Sequence, residues 1–243
     1  MASSPSLNLG AYAVLPAPPS FLQPRSSETV QHEHKYLLDA WAARRVWTVA
    51  SRHLPSLQDP ARPFAFVRTT YFDTADRAYQ RSAQGEVSQR LRVREYATAT
   101  VCGEAPTVAD RCFLELKQSA NGRRTKARLE LEPRAVPAEL ARHADAPLTP
   151  VLTTWYQRRS LGDADGNLRI TLDEGVTFCA PISVGSPGGD TAPKVLARGP
   201  GLVLEIKHWG DVPLWLKQAL LGLKEAVGFS KFNAGMLAIA GIR

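Results

Sequence analysis

Residues 90–94 read Arg-Leu-Arg-Val-Arg. In an extended strand, successive side chains point to opposite faces. Arg90, Arg92 and Arg94 then share one face, and Leu91 and Val93 share the other. Three guanidinium groups side by side repel one another unless something negative lies in front of them. A fold that accepts this strand must press its aliphatic face on an apolar layer and offer its basic face an anion.

The same alternation recurs along the chain. Glu33 and Lys35 flank His34, and Glu115 and Lys117 alternate with Leu114 and Leu116. Lys126, Arg128, Glu130 and Glu132 alternate with Ala127, Leu129 and Leu131. Arg169, Thr171 and Asp173 alternate with Leu168, Ile170 and Leu172, and Glu205 and Lys207 with Leu204 and Ile206. A sheet with one wet face explains any one of these strands. For all six together, rich in long cations and with Glu two residues before Lys three times, a closed barrel is the better solution. Aliphatics would face outward onto helices, and the charges would line an interior filled by water or ligand, since unpaired buried charge is prohibitively costly.

The expected fold class is therefore α+β: a closed antiparallel β-barrel of about eight strands with helices packed outside. One domain over residues 28–243 would follow a disordered tail, 1–27, rich in Ser, Pro and Ala. Strands are predicted over 66–74, 87–96, 111–118, 125–132, 168–173, 176–180 and 202–207, with an extended stretch at 32–36. Apolar spacing predicts helices over 37–54, 137–144, 148–161 and 213–226. A short helix or turn is expected at 76–82, a tight turn at Asn121-Gly122, and loops over 97–110 and 183–201.

Composition narrows the function classes. The formal net charge is +7, which suits a polyanionic partner. Aromatic residues are not interleaved on the basic faces as stacking platforms for bases, so no nucleic acid is expected. No apolar run is long enough for a membrane span. Three cysteines, Cys102, Cys112 and Cys179, form neither a disulfide framework nor a metal-ligand spacing. There is no secretory leader pattern, and a cytoplasmic protein is expected.

The motifs Glu33-His34-Lys35-Tyr36, Thr69-Thr70-Tyr71-Phe72-Asp73-Thr74, Arg90-Leu91-Arg92-Val93-Arg94, Phe113-Leu114-Glu115-Leu116-Lys117, Leu168-Arg169-Ile170-Thr171-Leu172-Asp173, Leu204-Glu205-Ile206-Lys207 and Phe229-Ser230-Lys231-Phe232 occur in this order. In this the chain resembles the VTC domain, the polyphosphate polymerase domain of the vacuolar transporter chaperone complex, within the triphosphate tunnel metalloenzymes (CYTH-like). The resemblance runs from about His32 to Met236. It implies transfer of the γ-phosphoryl group of ATP to a growing polyphosphate chain inside a basic tunnel. Lys35, Arg92, Arg94, Lys117, Lys126, Arg158, Arg169 and Lys231 would grip the phosphates, with Ser230 and Lys231 closing one end. Arg90 and Lys207 join them by strand parity. Tyr156, two before Arg158, resembles the family's helix-borne phosphate contact. Glu205 would be the principal ligand of Mn²⁺ or Mg²⁺, with Glu33, Glu115 and Glu130 as further candidates. Related triphosphatases often begin Glu-x-Glu-x-Lys, whereas Gln31 holds the first place here, which leans towards the VTC branch. Without the family's phosphate-sensing SPX domain or membrane helices, a stand-alone bacterial form is expected. The alternatives are a metal-dependent triphosphatase of the same fold, acting on tripolyphosphate or nucleoside triphosphate, and a non-catalytic polyphosphate-binding protein.

Overall fold

The computed structural model of the protein describes residues 31–82, 88–98, 107–120, 123–142, 146–184 and 194–241. The tail expected over 1–27, the Asn121-Gly122 turn and most of the 97–110 loop lie outside these residues. Nine strands form one antiparallel sheet: β1 Gln31–Leu38, β2 Ala65–Thr74, β3 Ser88–Thr98, β4 Thr107–Ala120, β5 Arg123–Leu131, β6 Leu148–Gly162, β7 Leu168–Cys179, β8 Val195–Arg198 and β9 Leu202–Trp209. The spatial order is β1-β9-β7-β6-β2-β3-β4-β5, and β8 pairs with β7 off this path.

The expected closed barrel is corrected here. β1 and β5 end the sheet, and no strand pairing joins them among the described residues. The sheet nevertheless curls, bringing side chains of eight strands to one cavity. The free edge of β1 is bridged by the chain after β9: Tyr36 pairs with Glu225, and Ala226 N–H donates to the Lys35 carbonyl at 2.7 Å.

Five helices dress the sheet: α1 Ala40–His53, α2 Ala78–Ser82, α3 Val136–Arg142, α4 Leu214–Ala219 and α5 Lys231–Ile239. Asp39 caps α1, its carboxylate accepting from Ala42 N–H at 2.7 Å. Arg52 and His53 in the last turn suit the negative end of the helix dipole. Ala42, Ala43, Val46 and Ala50 face inward and pack on Ile170, Leu172, Leu204 and Ile206, the outer faces of β7 and β9. A second outer layer sets Val136 and Leu140 of α3 and Tyr79 of α2 against Leu91, Val93 and Leu114. The Asp73 of the Thr-Thr-Tyr-Phe-Asp-Thr motif is structural at this point: fully buried, it accepts from the N–H groups of Tyr79 and Gln80 at the start of α2. No helix among the described residues is long and apolar enough to cross a membrane.

Several expected elements differ. Residues 148–161 form β6, not a helix. Leu148, Val151, Leu152, Trp155 and Tyr156 do fall at helical spacing, but Thr149, Val151, Thr153 and Thr154 are β-branched and suit a strand. The helix expected over 213–226 stops at Ala219, and Gly222 turns the chain at φ 79°. β8 lies within residues 183–201, expected to be a loop, and α5 arises in a stretch without a predicted element.

Inside the curl, α5 closes one end. Phe232 is buried among Tyr71, Leu152, Tyr156, Phe178 and Val203. Gly235 lets the helix approach this closely, because a Cβ there would meet Leu152 Cδ2 at 2.6 Å and Phe178 Cδ1 at 2.9 Å. β7 serves both halves of the interior through a bulge. Gln157 pairs with Glu174 but Trp155 pairs with Thr177, which leaves one extra residue at Gly175, φ 63°. That residue shifts the parity of the strand, so the inward set changes from Arg169, Thr171 and Asp173 to Val176 and Phe178.

Candidate functional site

Cross-strand register assembles the charged half of the interior. Arg92 lies opposite Glu115 and Arg90 opposite Lys117, which in turn lies opposite Lys126. Arg158 lies opposite Asp173 and Arg169 opposite Lys207. Glu33 lies opposite Lys207 and Lys35 opposite Glu205. All of these except Glu33, Glu115 and Asp173 line a cavity of about 110 Å³, together with Arg94, Tyr71, Tyr156, Phe229, Ser230, Lys231 and Phe232. Ten cationic side chains and one carboxylate, Glu205, face it. A wider compartment of about 380 Å³ adjoins it, lined by Gln31, Glu33, Ser88, Gln118 and residues 225–230, and sharing Lys35, Arg90, Lys117, Lys126 and Lys207 with the first.

The sequence-predicted residues thus converge, with two exceptions. Glu130 lies on β5 outside the cavity, half-exposed and paired with Arg111 at 3.1 Å. Glu115 is fully buried behind the cations: Arg92 and Lys126 lie 2.6 and 2.5 Å from its oxygens, and Arg128 lies 3.5 Å away. Burial opposes its charge, but Arg92, Arg94 and Lys126 outweigh that and hold its carboxyl far below the usual range. Glu115 is a counter-ion that lets arginines crowd. Tyr156 and Arg158, expected on a helix, stand on β6 instead. The strand's period of two brings both inward.

Glu33 and Glu205 form a different pair. Lys207 Nζ lies 3.2 Å from Glu33 and 3.4 Å from Glu205, and Lys35 Nζ lies 2.6 Å from Glu33. Burial and the neighbouring Glu205 push the Glu33 pKa up, but Lys207 and Lys35 prevail and leave it at about 2. Glu205 is likewise held well below the carboxylate range by Lys207, Arg158, Lys231 and Lys35 against its burial. Both are ionised at neutral pH. Among the described residues, no three His, Cys, Asp or Glu side chains converge on one point. Two ionised carboxylates beside an anion cavity do fit a hard divalent ion such as Mg²⁺, which is commonly held by one or two carboxylates and completed by phosphate oxygens.

The cations are unequal. Arg94 is buried with no ion pair among the described residues: its Nη2 donates to Tyr156 Oη at 2.9 Å, and its Nε has no partner. A buried guanidinium without a carboxylate is a site waiting for an anion. Lys117 is held well below the ordinary lysine pKa by Arg92, by burial and by Lys207. Burial draws Lys126 down to about 8 despite Glu115. Lys35 also donates to the Phe229 carbonyl at 3.2 Å, tying β1 to the segment that leads into α5. Ser230 caps α5 by accepting from Asn233 N–H at 3.2 Å.

One residue noted on the inward face of its strand, but not placed in the site from sequence, is Asp173. It is fully buried, chelates Arg158 at 2.6 and 2.8 Å, and accepts from Lys231 at 2.5 Å. Strand parity indicated its direction, but only the register with β6 and the return of α5 reveal its partners. Nucleophilic catalysis by the described cysteines has no support. Cys112 is buried, and burial and Glu95 push its thiol up to about 12. Burial also raises the Cys179 thiol.

A comparison with curated protein sequences finds no match. Among solved structures, a Hippeastrum protein designated an adenylyl cyclase, with a dominant triphosphatase activity, is similar at 17% identity and a TM-score of 0.51, over 88% of this chain and 97% of that one. A Vibrio parahaemolyticus protein designated an adenylate cyclase is 12% identical over 87% of this chain and 86% of its own, with a TM-score of 0.44. One from Bacillus halodurans is 14% identical over 79% and 84%, also at 0.44. The first of these shows that the two proteins share a fold. The VTC domain family model matches residues 30–145 and 138–240, nearly the whole described chain, and the protein belongs to the VTC domain family.

Proposed function

We propose that this protein is an ATP-dependent polyphosphate polymerase. The observation that carries the reading is the cavity lining of ten cations against one carboxylate, with a buried Arg94 among them that has no direct ion pair among the described residues. A lining of that kind suits a chain of phosphates, with arginines binding in bidentate fashion and lysines as point charges. A terminal phosphate oxygen of the acceptor chain attacks the γ-phosphorus of ATP. The bond from the β,γ-bridging oxygen to that phosphorus breaks, ADP leaves, and the chain is one phosphate longer. Such a transfer needs in-line placement and neutralised oxygens more than covalent help. Arg92, Arg94, Arg158 and Lys231 would neutralise the transferred group, and Lys35, Arg90, Lys117, Lys126, Arg169 and Lys207 the flanking phosphates. Glu205 and Glu33 would hold Mn²⁺ or Mg²⁺, which when bound offsets the charge of phosphate oxygens.

The closure of one end by α5 favours a second reading. A growing chain has no exit past Phe232, so product must leave on the side by which substrate entered. A triphosphatase, with water as the acceptor, meets that constraint more simply, and the Hippeastrum relative of this fold has triphosphatase activity. Incubation with ATP and Mn²⁺, followed by gel analysis of polyphosphate and assay of ADP and free phosphate, separates the two. Long chains with stoichiometric ADP support the polymerase, and free phosphate without chains overturns it.

A further inference from the structure

Three cations gather around Tyr156 at the deep end of the cavity. Arg94 donates to its hydroxyl, Lys231 Nζ lies 4.7 Å from its ring centroid and Arg158 Cζ lies 5.4 Å from it. Two of the three already share one carboxylate, because Asp173 pairs with both Arg158 and Lys231. An aspartate chelated by a guanidinium and an ammonium presents oxygens as a phosphoryl group would. Buried polar atoms without partners lie on the same inward faces: Arg94 Nε and the hydroxyls of Thr69, Thr154 and Thr171. Register sets Thr69 opposite both Arg94 and Thr154, and Thr171 opposite Glu205. Of these four residues only Arg94 lines the cavity, and its unpartnered Nε there is bonding capacity left for an anion beside Arg158 and Lys231.

We propose that Asp173 is a resident counter-anion occupying a deep oxyanion subsite made by Arg158 and Lys231, with Arg94 alongside, and that it tunes the affinity of this subsite for orthophosphate and for the terminal phosphoryl group of a chain. By pre-empting two cations it keeps the closed end of the cavity from trapping product. It is a positioning and specificity-determining residue, since it acts through Arg158 and Lys231. This inference rests on the reading of the cavity as a phosphate site.

The test is Asp173→Asn, which keeps the shape and removes the charge. Tripolyphosphate and orthophosphate are titrated calorimetrically into the wild type and the variant. The expected result is tighter binding of both by at least about tenfold, with KM and kcat falling together as product leaves more slowly. A purely structural aspartate would give weaker or unchanged binding, which overturns the proposal. Asp173→Asn also leaves two buried cations uncompensated. Its melting temperature should therefore fall without ligand and recover more with orthophosphate than that of the wild type. A variant recoverable only in phosphate buffer supports the proposal, and a phosphate response no larger than the wild type's sinks it. The double variant Asp173→Asn/Lys231→Gln removes one cation along with the anion and should return affinity towards the wild-type value. Wild-type protein that binds no tripolyphosphate would overturn the phosphate reading itself. Wild-type binding without a gain in Asp173→Asn overturns only the role given to Asp173.

Discussion

Glu115 and Glu205 both project inward, from β4 and β9 of one sheet, and both stand two residues before a lysine. Their surroundings give them different duties. Glu115 is fully buried against Arg92, Lys126 and Arg128. Glu115→Gln removes the one anion those cations share, and it should destabilise the fold by about 3–5 kcal/mol, as breaking a buried pair typically does. Urea unfolding measures this, and a loss under about 1 kcal/mol would contradict the counter-ion role. Glu205 lies on the cavity wall with Glu33 nearby and Lys207 between them. Glu205→Gln should lower metal-dependent turnover by at least about a hundredfold, roughly 2.7 kcal/mol of barrier, with the melting temperature little changed. Turnover near the wild-type rate would refute its assignment as a ligand. Lys126 supplies a pH signature. Its pKa of about 8 in the folded protein, against an ordinary lysine value of 10.5, means that it is charged below about pH 8 and neutral above. Phosphate-chain affinity should fall as pH rises from 7 to 9, and Lys126→Met should flatten that step in a calorimetric pH series. The sign for stability is the reverse. The strain of keeping this ammonium charged in the fold persists below pH 8 and is relieved between about 8 and 10.5.

At the scale of elements, α5 decides how deep the cavity runs. Gly235→Ala places a methyl group against Leu152 and Phe178, both fully buried. Neither can yield cheaply, so a cost of about 1–3 kcal/mol is expected, with weaker tripolyphosphate binding because Lys231 begins the same helix. Unchanged stability would show that α5 does not seat as described. This helix was not legible in the sequence. Residues 231–239 are apolar even on their outer side, where Leu237 and Ile239 are exposed, so no amphipathic stripe announces the helix. The failure at β6 has a related cause. Val151, Leu152, Thr153, Thr154 and Tyr156 are all buried, so a strand covered on both faces loses the period of two and its apolar residues fall at helical spacing by chance. Where one face stayed polar, as in Arg90–Arg94 and Glu205–Lys207, strand and direction could be read directly. Most of the cavity lining came from that parity and the motif order. Asp173 did not, because its meaning depends on a partner strand and a helix that the sequence had concealed.

The whole molecule is a curled sheet with unjoined edges wrapped around an excess of positive charge. Even with Glu33, Glu115 and Asp173 behind the lining, the interior repels itself, and a polyanion should stabilise it. At about a hundredfold excess over its dissociation constant, tripolyphosphate should add about 2.7 kcal/mol. That corresponds to a rise of about 5–10 °C in melting temperature for a domain of this size. The shift should shrink as NaCl is raised, since mobile ions screen the same charges. A salt-independent shift would point to binding elsewhere. The sequence alternation foretold the lined interior, but not the open seam between β1 and β5, because closure depends on edge pairing rather than on side-chain pattern. The same topology has a consequence in time. β3, β4 and β5 pair with immediate neighbours in the chain, whereas β1 must wait for β9, its one strand partner among the described residues. Such distant pairings form late. During synthesis the arginine-bearing hairpins can take shape while Glu33 and Lys35 still lack Glu205 and Lys207. On the proposed reading, a half-made chain would hold a polyanion but lack the paired carboxylates to act on one, so the capacity for chemistry would arrive only with the final third of the polypeptide.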